Sequence, residues 1–214
     1  MTEASTRFQR LYGALRTRIC LLEYPPGTRL SEEVLAAEFG TSRTPLRRVL
    51  ARLEDEGLVV SRHGVGTLVT DVELTEMAQV YALRLELAQL VGTLSPVAIT
   101  PSMLSRIDDF AAQGVALAQA PDAQTFAQLN MEYHAFGLSL SENMALQNTA
   151  ERLYFLTARI WLKSISRLDL ERECATFSDE IQQTREALHI GDLQAAALIR
   201  RSHISMSFHR LSTL

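Results

Sequence analysis

Residues 41–57, TSRTPLRRVLARLEDEG, decide the fold of the first third of the chain. Apolar residues recur there at i, i+3, i+4 and i+7, which is the spacing of one face of an α-helix. These residues are Leu46, Val49, Leu50 and Leu53. Thr44, Arg47 and Arg48 fall on the opposite face, which is cationic and sterically open. Such a face suits the groove of a nucleic acid, although an ordinary amphipathic helix with solvated arginines shows the same pattern.

Both ends of this helix are indicated by the sequence. Pro45 fits the first helical position because its missing N–H would have no partner there, and Ser42 or Thr44 can cap the free amides. The hydroxyls, arginines and free N–H groups at this end can reach phosphates or base edges. Gly57 ends the helix after the acidic residues 54–56, which we expect to keep this end away from a phosphate backbone.

The preceding residues predict two more helices. The first covers about residues 6–22 and ends at the two prolines and the glycine of residues 25–27. A second helix begins at Ser31, ends at Gly40, and is expected to bury three apolar residues, Val34, Leu35 and Phe39. Because a three-residue connection leads from it into the arginine-rich helix, the pair predicts a helix-turn-helix.

A β-hairpin is predicted after the arginine-rich helix. Residues 58–61 and 67–70 are short β-branched runs on either side of the tip RHGVG. The tip contains His63 and Gly64, and it is small enough to enter a minor groove as a wing. A solvated loop histidine is the alternative for His63 considered alone.

Composition limits the class of protein. The chain has 214 residues, of which 47% are hydrophobic and 21% charged, enough for a sizeable core in one or two domains. It contains no run of about 18 apolar residues and no signal-peptide pattern, which predicts a soluble, cytoplasmic protein. Cys20 and Cys174 are too far apart for a metal or redox motif.

Charge divides unevenly along the chain. Residues 1–70 contain ten basic and eight acidic residues, whereas residues 71–214 contain eleven basic and seventeen acidic ones. This asymmetry suits a DNA-binding segment joined to a domain that stays off DNA.

The remainder of the chain is predicted to be all-helical. A helix with Met77, Tyr81 and Leu85 on one face is apolar almost all round, as expected of a central element. Further helices are predicted over residues 101–119, 122–140, 144–166, 178–189 and 192–212. The fold class is therefore mainly α, with a winged helix-turn-helix in residues 1–72 and a helical bundle in residues 73–214.

Polar residues on apolar helix faces mark a candidate site in the bundle. Asn130 and His134 are four residues apart and so share a helix face, and His203 lies on the apolar face of the last helix. The alternative for each histidine is a buried ring bonded to a backbone carbonyl.

The run PPGTRLSEEVLAAEFGTSRTPLRRVLARLEDEGLVVSRHGVGTLV, residues 25–69, resembles the winged helix-turn-helix of the GntR family of bacterial transcription regulators. The resemblance implies base and phosphate contacts at the start of the recognition helix and in the wing. By position these fall on Ser42, Arg43, Thr44, Arg47, His63 and Gly64. Arg48 departs from the family because this place is usually acidic, so it is a candidate for an added phosphate contact.

The pieces FAQLNMEYH, SENMAL and ALHIGDLQAAALIRRSH resemble the FCD domain of the FadR subfamily, which would cover residues 75–214. This resemblance implies a divalent metal, such as zinc or nickel, held by an acidic or amide residue and three histidines and binding the carboxylate of a small organic acid. Asn130, His134 and His203 match three of these ligand places. Ile181 occupies the fourth and cannot ligate, unless Asp179 or Glu180 replaces it through a shift in helix register.

Arginines offer a metal-free alternative. Arg185 lies one turn beyond Ile181, and Arg200 lies within one turn of His203. If either points inward, its guanidinium can bind an acid effector directly; otherwise both extend into solvent. Arg84 and Arg159 are further candidates for binding an anion.

These features, with the resemblance, predict a homodimeric transcription regulator and not an enzyme, with double-stranded operator DNA and a small carboxylate as partners. The resemblance to the family implies a repressor more often than an activator. A metal-dependent hydrolase built on His134 and His203 is an alternative, but the sequence lacks a nucleophile, an HExxH pattern and paired carboxylates to accompany them. A third possibility is a regulator with a vestigial pocket and constitutive DNA binding.

Overall fold

The computed structural model describes residues 3–214 and divides the chain into two compact units, one ending at Glu73 and the other beginning at Leu74. The fold is mainly α with a small antiparallel sheet beside the helix-turn-helix, as predicted. The elements of the first unit are α1 (Glu3–Cys20), β1 (Arg29–Leu30), α2 (Glu32–Glu38), α3 (Arg43–Asp55), β2 (Val59–Arg62) and β3 (Gly66–Val69).

The core of the first unit lies between α1 and α3. The apolar stripe predicted for α3 is buried, and Leu11, Leu15 and Ile19 of α1, which are also buried, meet it there. Each such side chain contributes about 1.5–3 kcal/mol by leaving water. This burial fixes which face of α3 remains outside.

The sheet has the order β1-β3-β2 in the part of the chain that is described. Leu68 of β3 pairs with Val60 of β2 on one side and with Arg29 of β1 on the other. The hairpin therefore has a third strand that the sequence did not predict, because two residues carry no alternation to recognise.

Two local predictions in the helix-turn-helix were wrong. Helix α3 begins at Arg43, so Pro45 is its third residue, and Ser42 is the N-cap without a side-chain hydrogen bond to any described residue. Val34, predicted to be buried, is 64% exposed, whereas Leu35 next to it is buried. The seven-residue α2 is too short to bury more than a narrow stripe.

Glu54 and Glu56 at the end of α3 have partners within the first unit, and their expected effect on a phosphate backbone stays a prediction. Glu54 accepts hydrogen bonds from the backbone N–H and the hydroxyl of Ser61, at 2.6 and 2.9 Å. Glu56 is buried and accepts hydrogen bonds from Tyr12 and Arg52, each at 2.7 Å. These carboxylates tie α3 to β2 and α1.

The second unit consists of α4 (Ala78–Leu90), α5 (Pro101–Gln119), α6 (Ala123–Ser139), α7 (Met144–Ser164), α8 (Leu170–His189) and α9 (Leu193–Ser212). Most bounds agree with the sequence prediction, but α8 begins eight residues earlier than expected. Asp169 caps its start by accepting from the backbone N–H of Arg172 at 3.1 Å. Charged residues in the first turns of α8 hide its apolar face from a search for periodicity.

Two glycines let helices of the second unit approach closely. A Cβ on Gly92 would lie 2.7 Å from the Cα of Gln194, where α4 ends against α9. A Cβ on Gly114 of α5 would lie 3.2 Å from the Cδ1 of Ile181 on α8. Ile181 is fully buried in this contact with α5. No helix in residues 3–214 is long and apolar enough to cross a membrane.

Candidate nucleic-acid interface and ligand cavity

The start of α3 presents an exposed cationic surface. Ser42, Arg43, Thr44, Arg47 and Arg48 are all exposed, because the opposite face of the helix is buried. The side chains of Arg43 and Arg47, which lie one helical turn apart, are 62% and 68% exposed. Phosphates and base edges accept hydrogen bonds from such groups, namely hydroxyls, guanidinium groups and the free N–H groups at the start of a helix.

Glu32 of α2 contacts two of these arginines. It accepts hydrogen bonds from Nε and Nη2 of Arg47 at 3.1 and 3.0 Å, and it lies 3.4 Å from Arg43. The bonds from Arg47 lower the pKa of Glu32 and raise the pKa of Arg47. From the sequence, Glu32 looked only like a favourable charge at a helix start; its contact with α3 depends on how α2 and α3 pack.

Arg48 lies on the side of α3 that faces α1. Its guanidinium carbon is 5.9 Å from the centroid of the Phe8 ring, while the residue as a whole stays exposed. It therefore flanks the surface formed by Arg43 and Arg47, which extends toward α2.

His63 and Gly64 are exposed at the tip of the β2–β3 hairpin. Gly64 has a φ of +75°, a conformation that side chains disfavour, and nothing lies within 4 Å of the position its Cβ would take. The tip is thus narrow because its backbone turn requires glycine.

The second unit contains two adjacent cavities that share Arg84, Arg200 and Ile204. We call them the polar cavity, which Asn130 and His203 also line, and the apolar cavity, which His134 lines. Their volumes are about 70 and 50 Å³. The sequence-predicted site residues are therefore divided between two neighbouring spaces.

Arg84 of α4 is buried between these cavities, with 9% of its surface exposed. Its Nη1 donates to the Thr157 hydroxyl at 2.6 Å, and its guanidinium carbon lies 5.0 and 5.3 Å from the ring centroids of Tyr81 and Tyr154. Burial lowers the pKa of Arg84, Tyr81 opposes that effect and the charge of Arg200 adds to it. No carboxylate among the described residues forms an ion pair with Arg84.

Arg200 of α9 is held by two oxygen acceptors. Its Nη1 donates to Glu180 at 2.6 Å and its Nη2 donates to Asn130 at 3.2 Å. Burial opposes the charge of Arg200, but Glu180 and Tyr133 outweigh burial and raise its pKa. Glu180, which was predicted only as a substitute metal ligand, is the counter-ion of this arginine.

His203 lies beside the same carboxylate. Its Nδ1 is 3.8 Å from Glu180, and the residue is buried. Burial lowers the pKa of His203, Glu180 opposes that effect and the charge of Arg200 adds to it, so the neutral ring is favoured.

A second buried acid closes the other end of the polar cavity. Glu173 of α8 accepts from Arg210 at 3.0 Å and from the Trp161 indole N–H at 3.1 Å. Sequence reasoning did not identify Glu173 or Thr157 as parts of a site, and it considered Glu180 only as a substitute metal ligand. All three lie on helix faces whose inward orientation only the tertiary packing determines.

Arg185 and Arg159 line neither cavity. Arg185 lies 2.6 Å from Asp108 of α5, with 40% of its side chain exposed, and His189 contacts the same carboxylate at 2.9 Å. It faces this surface pair because the neighbouring Ile181 and Gly114 bring α8 against α5. Arg159 of α7 is buried outside the residues that line the two cavities.

The donors present do not fit a divalent metal. No cluster of three or more His, Cys, Asp or Glu residues able to hold a metal occurs in residues 3–214. Asn130 already accepts from Arg200, and the ring of His134 stacks on Tyr154 at 3.9 Å in the other cavity. A divalent cation would also lie beside the buried guanidinium groups of Arg84 and Arg200, which repel it.

Comparisons with known proteins place these features in context. The family described as bacterial regulatory proteins, gntR family, matches residues 7–69, and the FCD domain matches residues 79–206. An uncharacterized HTH-type transcriptional regulator in an unstable DNA locus of Streptomyces ambofaciens is 30% identical over 212 residues, covering 97% of this chain and 86% of the relative. The HTH-type transcriptional repressor RspR of Escherichia coli is 23% identical over 152 residues, covering 71% and 67%.

Solved structures share the fold. E. coli McbR/YncC has a TM-score of 0.84 at 17% identity, covering 100% of this chain and 99% of that one. A transcriptional regulator GntR from Rhodococcus sp. RHA1 has a TM-score of 0.75 at 19% identity, covering 97% and 98%. The family matches set aside the hydrolase alternative, since the relatives are regulators and not enzymes. The chain belongs to the GntR family of DNA-binding transcription regulators and carries an FCD domain.

Proposed function

We propose that the protein is a homodimeric repressor that binds operator DNA through α3 and the wing and releases it when a small organic acid enters the cavities of the second unit. The observation that carries the DNA-binding part is the exposed start of α3. There, Arg43 and Arg47 project from a helix whose other face is fully buried. The family supports DNA binding as such, and the individual contacts are our proposal.

Different residues are expected to do different work at the operator. Arg43 and Arg47, with Ser42 and Thr44 at the helix start, are proposed to reach base edges and nearby phosphates from within the major groove. His63 and Gly64 are proposed to enter the adjacent minor groove, which admits only a narrow tip. Arg48, on the α1 side, is proposed to contact a phosphate.

Symmetry supports the proposed dimer, and a relative supports the proposed direction of regulation. Two copies that bind two half-sites require a pseudo-palindromic operator. A change in the second unit that alters the distance between the two DNA-binding units would then change the affinity for the operator. Large apolar side chains of α4 and α9 remain exposed in one copy, among them Leu83, Leu198 and Met206, and a second copy would cover such surface. Repression is proposed because the relative RspR is described as a repressor. The operator places the site of action in the cytoplasm.

Effector binding is proposed from the buried cation Arg84 and the two cavities that it lines. An acid that binds one arrangement of the dimer more tightly than the other shifts the population and changes operator affinity. The competing possibility, a vestigial pocket with constitutive DNA binding, predicts no response of operator affinity to any acid.

Operator selection followed by affinity measurement tests this proposal. The parent protein would select duplexes from a random pool, and fluorescence anisotropy would give Kd for the enriched sequence. We expect a pseudo-palindrome, affinity that falls steeply with salt, and a loss of about 1–3 kcal/mol for Arg47→Ala or Arg43→Ala. Arg106→Ala is the matched control, because this arginine is 48% exposed on α5 of the other unit. If both α3 variants bind like the parent, α3 does not read the operator.

The regulatory step has its own measurements. Sedimentation should show a dimer at micromolar concentration, and transcription from a promoter that overlaps the selected operator should fall as protein is added. A monomer, or transcription that rises, would contradict the dimer or the repressor assignment respectively.

A further inference from the structure

The misfit between the two cavities and a divalent metal suggests a different way to hold an acid. We infer that the second unit binds a short-chain monocarboxylate without metal, its carboxylate paired with Arg84 and its hydrocarbon body in the apolar cavity. This inference rests on the proposed function, because it names the ligand class for the effector site. It depends on three observations. Arg84 is a buried cation with no carboxylate partner in residues 3–214, the neighbouring Arg200 and Arg210 are each paired with an acid, and Arg84 lines both the polar and the apolar cavity.

The state of Arg84 is unusual for a buried charge. Its side chain contacts the Thr157 hydroxyl and the faces of Tyr81 and Tyr154, all of which are neutral groups. Residues 3–214 provide it with no carboxylate within ion-pair distance. Burying a charge is costly unless an opposite charge accompanies it, so the energetically favourable occupant beside Arg84 is an anion.

The neighbouring cations already have partners. Arg200 is neutralised by Glu180 and further fixed by Asn130. Arg210 is neutralised by Glu173. Among the described residues that line the polar cavity, these pairs leave one uncompensated positive charge, that of Arg84. A single carboxylate balances it, whereas a dicarboxylate or a phosphate dianion would bring excess negative charge close to two buried acids.

The apolar cavity defines the rest of the ligand. Two shared arginines and several aromatic or polar groups of α6 and α8 line part of it. The rest of its lining is aliphatic and includes Val91 at the end of α4, Leu140, and Ala197 of α9. Arg84 lines both cavities, so a carboxylate at Arg84 directs its hydrocarbon chain into this space. With a volume of about 50 Å³, the space suits a short chain and not a long lipid.

Guanidinium chemistry explains why no metal is needed. A guanidinium presents paired N–H donors that match the two oxygens of a carboxylate, and it keeps its charge at every physiological pH. One Nη of Arg84 is committed to Thr157, which fixes the plane of the group while other N–H groups remain to meet a ligand. The arginine thus supplies both the charge and the orientation that a metal would supply to a carboxylate.

The test uses the full-length protein treated with EDTA. Hexanoate is the probe, hexanamide is its neutral counterpart of the same length, and succinate is the dianion; binding is followed by calorimetry and by the melting temperature. We expect hexanoate to bind and raise the melting temperature in EDTA. Hexanamide and succinate should bind at least about tenfold more weakly. Adding zinc or nickel in place of EDTA should leave the hexanoate Kd unchanged.

Variants locate the site. Arg84→Met keeps a long unbranched side chain and should abolish hexanoate binding, while Arg84→Lys keeps the charge and should retain part of it. Arg185→Met is the matched control, because this arginine lies outside both cavities, and it should bind hexanoate like the parent. Ala88→Leu, which fills part of the apolar cavity, should weaken octanoate more than butyrate. Circular dichroism would establish that each variant is folded.

Each alternative result overturns the inference. Binding of hexanoate only with added metal, equal binding of hexanamide, unaltered binding by folded Arg84→Met, or no binding of any acid would each do so. Failure here is separable from failure of the proposed function. Operator binding and repression are measured without ligand, and an acid that binds through Arg84 but leaves operator affinity unchanged would sustain this inference while contradicting the regulatory one.

Discussion

Arginine residues lie in opposite environments in the two units of this protein. On α3, the side chains of Arg43 and Arg47 are 62% and 68% exposed, and their shared acid, Glu32, is itself at the surface of the unit. In the helical unit, Arg84 has 9% of its surface exposed and the Arg200 side chain 17%, and the acid that pairs with Arg200 is 5% exposed. The residue type is the same, but its hydration differs.

Because of this difference in hydration, the exposed arginines are expected to contribute to the free energy of DNA binding and the buried ones to the free energy of folding. Exposed arginines keep their water until a polyanion replaces it, so removing one should weaken DNA binding and leave stability nearly unchanged. Buried arginines have already lost their water, so their partners become part of the fold. Arg84 differs from both groups because its charge is buried and residues 3–214 supply no acid that pairs with it.

The largest effect is expected at the buried ion pair. Glu180→Gln leaves Arg200 charged, buried and without a counter-ion, which should cost about 3–5 kcal/mol in the free energy of unfolding. Urea unfolding followed by circular dichroism measures it. Glu132→Gln, at an acid that is 43% exposed in its pair with Arg106, is the matched control and should change stability little. Equal, small losses in both variants would remove the distinction between the two kinds of arginine.

The periodic spacing of apolar residues predicted those helices and strands whose buried face is visible in the local sequence. The stripe of α3, the prolines and glycine after α1 and the two β-branched runs are local signals, so the helix-turn-helix and its hairpin could be predicted. The exposed side of α3 followed directly, because a helix with one fully apolar stripe must turn its other residues outward. Strand β1 and the exposure of Val34 could not, because a two-residue strand and a seven-residue helix contain too few positions to show a period.

The inward or outward direction of the bundle arginines was not predictable in the same way. Arg185 and Arg200 were equivalent from the sequence, yet one pairs with exposed Asp108 and the other with buried Glu180. Which of them enters a cavity depends on the contact of α8 with α5 at Gly114, a feature of tertiary packing. The ligand set implied by family resemblance is incomplete for a related reason, since Ile181 packs on α5 and its neighbour Glu180 faces the cavity.

The first unit also contains a buried acid that pairs with partly exposed groups. Glu56 is 7% exposed, and the Tyr12 hydroxyl donates its single proton to this carboxylate, whose two oxygens lie 2.8 and 2.7 Å from the hydroxyl oxygen. Tyr12→Phe should therefore cost about 1.5–3 kcal/mol in the free energy of unfolding, because this is a hydrogen bond to a charged group. Tyr24→Phe, at a tyrosine that donates no bond to a buried acid, is the control for urea unfolding. If Tyr12→Phe lowers the free energy of unfolding no more than Tyr24→Phe does, then Arg52 alone satisfies Glu56.

A smaller effect is expected where an acid meets the exposed arginines. Glu32→Gln removes a negative charge next to Arg43 and Arg47 and loosens the orientation of Arg47. We expect the affinity for random DNA to increase by roughly 0.2–1 kcal/mol, because arginines without an acidic neighbour can bind any phosphate. The difference in affinity between the operator and random DNA should therefore become smaller. Anisotropy with operator and scrambled duplexes measures both, and Glu33→Gln on the same turn is the control. Unchanged discrimination would mean that Glu32 does not orient Arg47 for reading bases.

The smallest effect is expected at Asp108, an exposed acid in the same helical unit as the buried Glu180. His189 and Arg185 lower the pKa of Asp108, so its ionised form is favoured in the folded protein. A lowered pKa gives stability above the ordinary pKa of an aspartate, and that stability is lost as the pH falls through the lowered value. Because the groups are exposed, Asp108→Asn should shift the urea midpoint at pH 7 by little or nothing, and any shift should vanish in acid. A shift as large as that of Glu180→Gln would show that exposure does not decide what an arginine contributes to this fold.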